Sequence, residues 1–140
     1  MLKKVLFLCT GNSCRSQMAE VLLNKLGEGR FEAVSAGSKP AGYVHPLALS
    51  LFQELGFPTE GLRSKSMEEI RNQKFDVVIT VCDRAKDNCP VWPGAETIHW
   101  SFPDPAEAAG SDAEKMVVFR RIFGEIQQRL RLFVALPAKG

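Results

Sequence analysis

Lys3-Lys4-Val5-Leu6-Phe7-Leu8-Cys9-Thr10-Gly11-Asn12-Ser13-Cys14-Arg15-Ser16 joins an apolar run to a short polar turn and then to an amphipathic stretch. Lys3–Leu8 reads as a strand, apolar nearly throughout and therefore covered on both faces. Ser16 to about Gly27 reads as a helix, with Met18, Ala19, Leu22, Leu23 and Leu26 on one stripe and Gly27 as its stop. Between them, a cysteine, five residues and an arginine make a seat for an oxyanion. The intervening N–H groups can turn inward around the anion, and the helix that follows presents its positive end. Arg15 adds a planar fork matched to two oxygens of a tetrahedral anion. The same field favours thiolate over thiol at Cys9. The pocket would hold its own nucleophile.

The alternation continues along the chain. Phe31–Ser35 reads as a second strand closed by Ala36-Gly37. Pro46 sits where a first helical turn tolerates it, and Leu47, Leu51, Phe52 and Leu55 form a stripe ending at Gly56. Phe75–Val81 reads as a third strand and about Glu96–Trp100 as a shorter fourth. Ser111 and Glu114 form a capping box for the last helix. Its stripe is Phe119, Ile122, Phe123, Ile126, Leu130 and Phe133, with Arg120, Arg121, Arg129 and Arg131 mostly turned to solvent. This pattern predicts an α/β protein: a three-layer, flavodoxin-like fold with a four-stranded parallel sheet, order 2-1-3-4, and helices on both faces. With no repeat and no linker, residues 1–140 read as a single domain. In that order the first and third strands are neighbours, about 5 Å apart. Cys9 and Cys82, distant in sequence, would then meet at the carboxyl rim of the sheet, where such folds bind ligands.

Eighteen basic and sixteen acidic residues leave a net charge of +2, too small to argue for nucleic acid. No run reaches membrane-spanning length and no signal peptide opens the chain, so it reads as cytoplasmic, where thiols stay reduced unless they do redox chemistry. Cys14 reads as a small buried hydrophobe. The intervals from Cys9 to Cys14 and from Cys82 to Cys89 lack the short paired spacing of structural zinc sites, so no metal is expected. A redox relay is the sharper reading. If the segment after Cys82 is helical, the Cα atoms of Cys82 and Cys89 lie about 10 Å apart, beyond the ~7 Å reach of a disulfide. The intervening Asp83-Arg84-Ala85-Lys86-Asp87-Asn88 has one apolar residue and would lose little on opening. Asp104, between Pro103 and Pro105, is either a turn residue or an acid overhanging the pocket. Trp92 is either an exposed anchor for a partner or a core residue under the loop. His45 reads as a cap of the second helix and His99 as part of the last strand.

Taken in order, these parts resemble the low-molecular-weight protein tyrosine phosphatases and the arsenate reductases that share their fold. The likeness spans nearly the whole chain: residues 9–16, Ser35-Ala36-Gly37, His45-Pro46 and Asp104-Pro105. Thr80-Val81-Cys82 and Asp87-Asn88-Cys89-Pro90 resemble the thioredoxin-coupled arsenate reductases in particular. The resemblance implies that Thr10, Gly11, Asn12, Ser13, Cys14 and Arg15 bind arsenate or a phosphate-like oxyanion, with Asn12 bracing the loop. It implies that Cys9 attacks arsenate, Ser16 holds the thiolate and Asp104 protonates the departing oxygen. Cys82 would then attack Cys9 and release arsenite, and Cys89 would attack Cys82, leaving a disulfide for thioredoxin. Some relatives bind potassium through residues corresponding to Asn12, Ser16 and Glu20. Here Leu62-Arg63-Ser64-Lys65-Ser66 could place the cation of Lys65 or Arg63 instead, so no cofactor and no obligatory metal are expected, and a monomer suffices. Related reductases draw on glutathione with glutaredoxin, or on mycothiol. The rival reading is a phosphatase for tyrosine phosphate or a small phosphoester, but Ala106-Glu107-Ala108-Ala109-Gly110 supplies no aromatic wall and Tyr43 is the only tyrosine. Weak phosphatase side activity is still expected. A non-enzymatic oxyanion or thiol sensor would use the same cysteines but stop after one equivalent.

Overall fold

β1 (Lys3–Cys9) is buried from Val5 onward because it has a strand on either side. In the computed structural model, which describes residues 2–82 and 91–136, the remaining elements are α1 (Arg15–Leu26), β2 (Phe31–Gly37), α2 (Pro46–Glu54), β3 (Val77–Thr80), β4 (Glu96–His99) and α3 (Asp112–Ala135). Short 3₁₀ turns lie at Met67–Ile70 and Pro105–Glu107. The strands form one all-parallel sheet in the order β2-β1-β3-β4. This is the expected α/β topology.

Alternation along β1 divides the core. Val5, Phe7 and Cys9 face the larger cluster, built with α1, α2 and α3 through Met18, Leu22, Phe52, Phe119 and Ile126. Leu6 and Leu8 face a smaller one formed by Met67 and Ile70 of the first 3₁₀ turn, Phe75, Val78 and Trp92. Trp92 is therefore a core residue, set edge-on to Phe75 with ring centroids 5.6 Å apart. The capping box of α3 forms as read: Ser111 Oγ accepts from Glu114 N–H, and Glu114 Oε1 accepts from Ser111 N–H.

Three local readings change. β3 starts at Val77, because Phe75 turns away to stack on Trp92 while Asp76 Oδ2 accepts from Lys4 N–H. β2 runs on to Gly37, which pairs with Cys9. Leu55 is off the α2 stripe and 51% exposed. The chain reverses through Gly56 at φ 80, Phe57 N–H bonds Phe52 O, and the Phe57 ring meets Phe123 instead. Among the described residues, no helix is long and apolar enough to cross a membrane.

Candidate active site

Residues 9–15 and Asp104 enclose a cavity of about 180 Å³ at the carboxyl end of β1. What shapes it is where the carbonyls of the loop go. Cys9 O accepts from Ser38 N–H, Thr10 O from Lys39 N–H, Gly11 O from Ala41 N–H and Ser64 Oγ, and Ser13 O from His45 N–H. Asn12 O accepts from Gln17 Nε2, and Cys14 O from Met18 N–H as α1 begins. All six carbonyls from Cys9 to Cys14 are thus held by donors outside the 9–14 turn. The carbonyls are spent outside the turn, and the amides of such a turn ahead of a helix start can cradle an anion.

Cys9 sits at the floor and is 2% exposed. Its sulfur accepts from Asn12 N–H at 3.1 Å and lies 2.9 Å from Ser16 Oγ. Asn12 takes φ 50, the only positive φ outside glycine among the described residues, and its amide braces the loop as expected. Its Nδ2 donates to Ser16 Oγ and Ser35 Oγ, and its Oδ1 accepts from Lys65 N–H.

Arg15 is 4% exposed, with Nη1 donating to Phe102 O at 3.1 Å and Nη2 lying 3.6 Å from Asp104 Oδ2. The guanidinium is thereby aimed from the start of α1 across the cavity mouth. Asp104 is a turn residue that also lines the cavity. Its Oδ1 caps the second 3₁₀ turn by accepting from Ala106 N–H, and its other oxygen faces Arg15 at the pocket. Cys14 lines the cavity, and burial pushes its thiol up to about 12.

β3 ends with Thr80 opposite Leu8, and Val81 N–H still bonds Leu8 O. Cys82 therefore leaves the sheet at the rim where Cys9 lies. It is fully buried and disulfide-bonded, whereas Cys9 and Cys14 are free thiols. Residues 83–90, with Cys89 and the polar run before it, lie outside the described residues.

A family model for low molecular weight phosphotyrosine protein phosphatases matches residues 4–139. The chain belongs to this family. Within it, the chain is 44% identical to an arsenate reductase of Halalkalibacterium halodurans, over 95% of this chain and 96% of that one. It is 34% identical to a glutaredoxin arsenate reductase of Synechocystis, over 96% and 98%. Among solved structures it resembles an arsenate reductase from Archaeoglobus fulgidus (TM-score 0.80, 29% identity, 94% of this chain and 99% of that one). An arsenate reductase in a phosphate-binding state aligns at TM-score 0.76 and 34% identity, covering 95% and 97%. A thioredoxin-dependent arsenate reductase of Corynebacterium glutamicum aligns at 0.70 and 30%, covering 95% of this chain and 60% of that one.

Residues outside the loop hold it in place, and Gln17 among them carries no sequence signal of its own. Gln17, fully buried, reads as a polar position on a helix, yet its Nε2 ties Asn12 O to Arg63 O. His45 caps α2 through Nδ1, as expected, and its backbone N–H also holds Ser13 O. Its ring lies 4.8 Å from Phe119, and burial lowers its pKa. Arg63 pairs with Glu69 at the surface, away from the loop's side chains, while Lys65 turns in toward Glu20.

Proposed function

We propose that the chain is an arsenate reductase. Arsenate binds in the 9–15 loop with its oxygens on the loop amides and the Arg15 fork. Cys9 thiolate attacks arsenic, and a hydroxyl leaves as water with a proton from Asp104. Cys82 thiolate then attacks Cys9 Sγ, and the electron pair of the breaking sulfur–arsenic bond passes to arsenic. As(V) becomes As(III), arsenite leaves, and a Cys9–Cys82 disulfide remains. Cys89 thiolate attacks Cys82 and frees Cys9, and an external dithiol reduces the last disulfide.

The observation that carries this reading is the position of Cys82. It follows the carboxyl end of β3, the strand next to the one that ends in Cys9, and it is disulfide-bonded while Cys9 is free. A phosphatase has no use for it. The loop after Asp104, with Pro105 buried and Ala106 and Glu107 exposed, brings no aromatic ring to grip a phenyl group. Phosphate shares the geometry and charge of arsenate, so slow hydrolysis of an activated phenyl phosphate accompanies the main activity.

Thioredoxin is the reductant we favour, on the strength of Cys82 and Cys89 together. The test is continuous arsenite formation from arsenate and NADPH with thioredoxin and its reductase, set against glutathione with glutaredoxin. Thioredoxin should sustain many turnovers, and Cys89→Ser should release arsenite once without recycling. Turnover with glutaredoxin alone would reassign the reductant. Normal thioredoxin-driven turnover by Cys89→Ser would refute the relay.

A further inference from the structure

A peptide unit is planar and trans, so a carbonyl and the N–H of the next residue point in opposite directions. A donor that holds a loop carbonyl outside the 9–14 turn therefore aims the following amide into it. Gly11 O shows the rule: Ala41 N–H and Ser64 Oγ hold it, and the next amide, Asn12 N–H, reaches Cys9 Sγ at 3.1 Å. Every carbonyl from Cys9 to Cys14 but one is held by a backbone N–H. The exception is Asn12 O, whose donor among the described residues is the side-chain Nε2 of Gln17, at 3.0 Å. The amide in that peptide plane is Ser13 N–H, and Ser13 lines the cavity. Its aim depends on one side chain.

Gln17 is built for that hold. It lies in the first turn of α1, where side chains lean back toward the helix start, here over the turn that precedes it. The residue is fully buried. Nε2 carries two protons, and the second goes to Arg63 O at 3.0 Å. Both partners are carbonyls, which only accept, so the NH₂ end of the amide must face them. Its Oε1 makes no hydrogen bond among the described residues, so no donor pulls the amide the other way. The 12–13 plane turns by paired changes in ψ of Asn12 and φ of Ser13, which leave the planes on either side in place. Without Gln17 the plane has no other printed restraint on its oxygen, and a single amide of the cradle would lose its direction. A mere tie between the loop and residue 63 would instead loosen the whole turn.

We propose that Gln17 is a positioning residue for the oxyanion seat: by holding Asn12 O it aims Ser13 N–H at the bound anion. The proposal rests on the 9–15 loop taking a tetrahedral oxyanion, as the reductase reading requires. Its test is proton–nitrogen NMR of the reduced, isotope-labelled protein at neutral pH, titrated with inorganic phosphate, in wild type and Gln17→Met. In wild type the Ser13 amide proton should move downfield together with the other loop amides as phosphate binds. In Gln17→Met the Ser13 shift should be lost while those of Gly11 and Cys14 persist. Phosphate should bind the variant about tenfold more weakly, the factor carried by one hydrogen bond to a charged group. Gln17→Leu should behave in the same way, and it carries the test if Gln17→Met does not fold. A full Ser13 shift in either variant would overturn the proposal. So would a loss shared equally by all the loop amides, the mark of a tie that only stabilises the turn. Wild-type loop amides that ignore phosphate would refute the oxyanion reading itself, and this inference with it.

Discussion

Replacing Asn12 tests how the cradle is held. Its side chain makes three hydrogen bonds, to Ser16 Oγ, Ser35 Oγ and Lys65 N–H, and the residue is fully buried at φ 50. At about 1 kcal/mol net each, the bonds contribute about 3 kcal/mol. An alanine would also have to hold the left-handed backbone, which costs about 1–2 kcal/mol more. Asn12→Ala should therefore lose about 4–5 kcal/mol, a large share of a typical 5–15 kcal/mol total. Asn12→Gly loses the same bonds without the backbone term, so it should be the more stable of the two by about 1 kcal/mol, offset by glycine's greater freedom when unfolded. Urea unfolding of all three proteins gives these differences. Calorimetry with inorganic phosphate should show at least about tenfold weaker binding in both variants, since the amide ring is no longer braced. A loss below about 1 kcal/mol in Asn12→Ala, with phosphate affinity intact, would refute the idea that this side chain organises the loop.

Three further outcomes follow from the same geometry. In Gly37→Ala the new Cβ would lie 2.5 Å from Thr10 O and 3.2 Å from Asn12 N, backbone atoms that cannot step aside. Urea unfolding should show a loss of about 1–3 kcal/mol, and phosphate should no longer protect Cys9 from alkylation. Burial holds His45 below its ordinary 6.5, so the unfolded chain binds its proton more readily. The stability contributed is full above 6.5 and is lost as pH falls through the lower folded value; His45→Gln should flatten that decline in denaturant midpoints taken across 6.5. Trp92→Ala should cost about 3–5 kcal/mol in urea unfolding, and a cost near zero would contradict its place in the core.

The strong periodicities were legible. An apolar β1, the α1 stripe and the Ser111–Glu114 box each depend on side chains, and each stands where the pattern set it. The cavity lining was legible too, because Cys9, Arg15 and the helix start lie within eight consecutive positions. Its support was not. The donors that hold the loop carbonyls are mostly backbone N–H groups of Ser38, Lys39, Ala41 and His45, and any residue but proline can supply one. Lys65 was one of two candidate cations, and only the fold shows Arg63 spent on Glu69 while Lys65 reaches Glu20. Leu55 misled because a helical stripe does not announce where its helix ends, and Phe57 takes the vacated place against Phe123. Trp92 could not be decided without its partner Phe75, which comes from another part of the chain.

The most direct measurement is disulfide mapping after a single turnover. Reduced Cys89→Ser protein is mixed with arsenate, quenched in acid with an alkylating agent, and digested without reductant for mass spectrometry. A Cys9–Cys82 linkage, formed in step with one equivalent of arsenite, is the predicted result. Arsenite release that leaves Cys9 linked to Cys14, or Cys82 as a free thiol, would contradict the account.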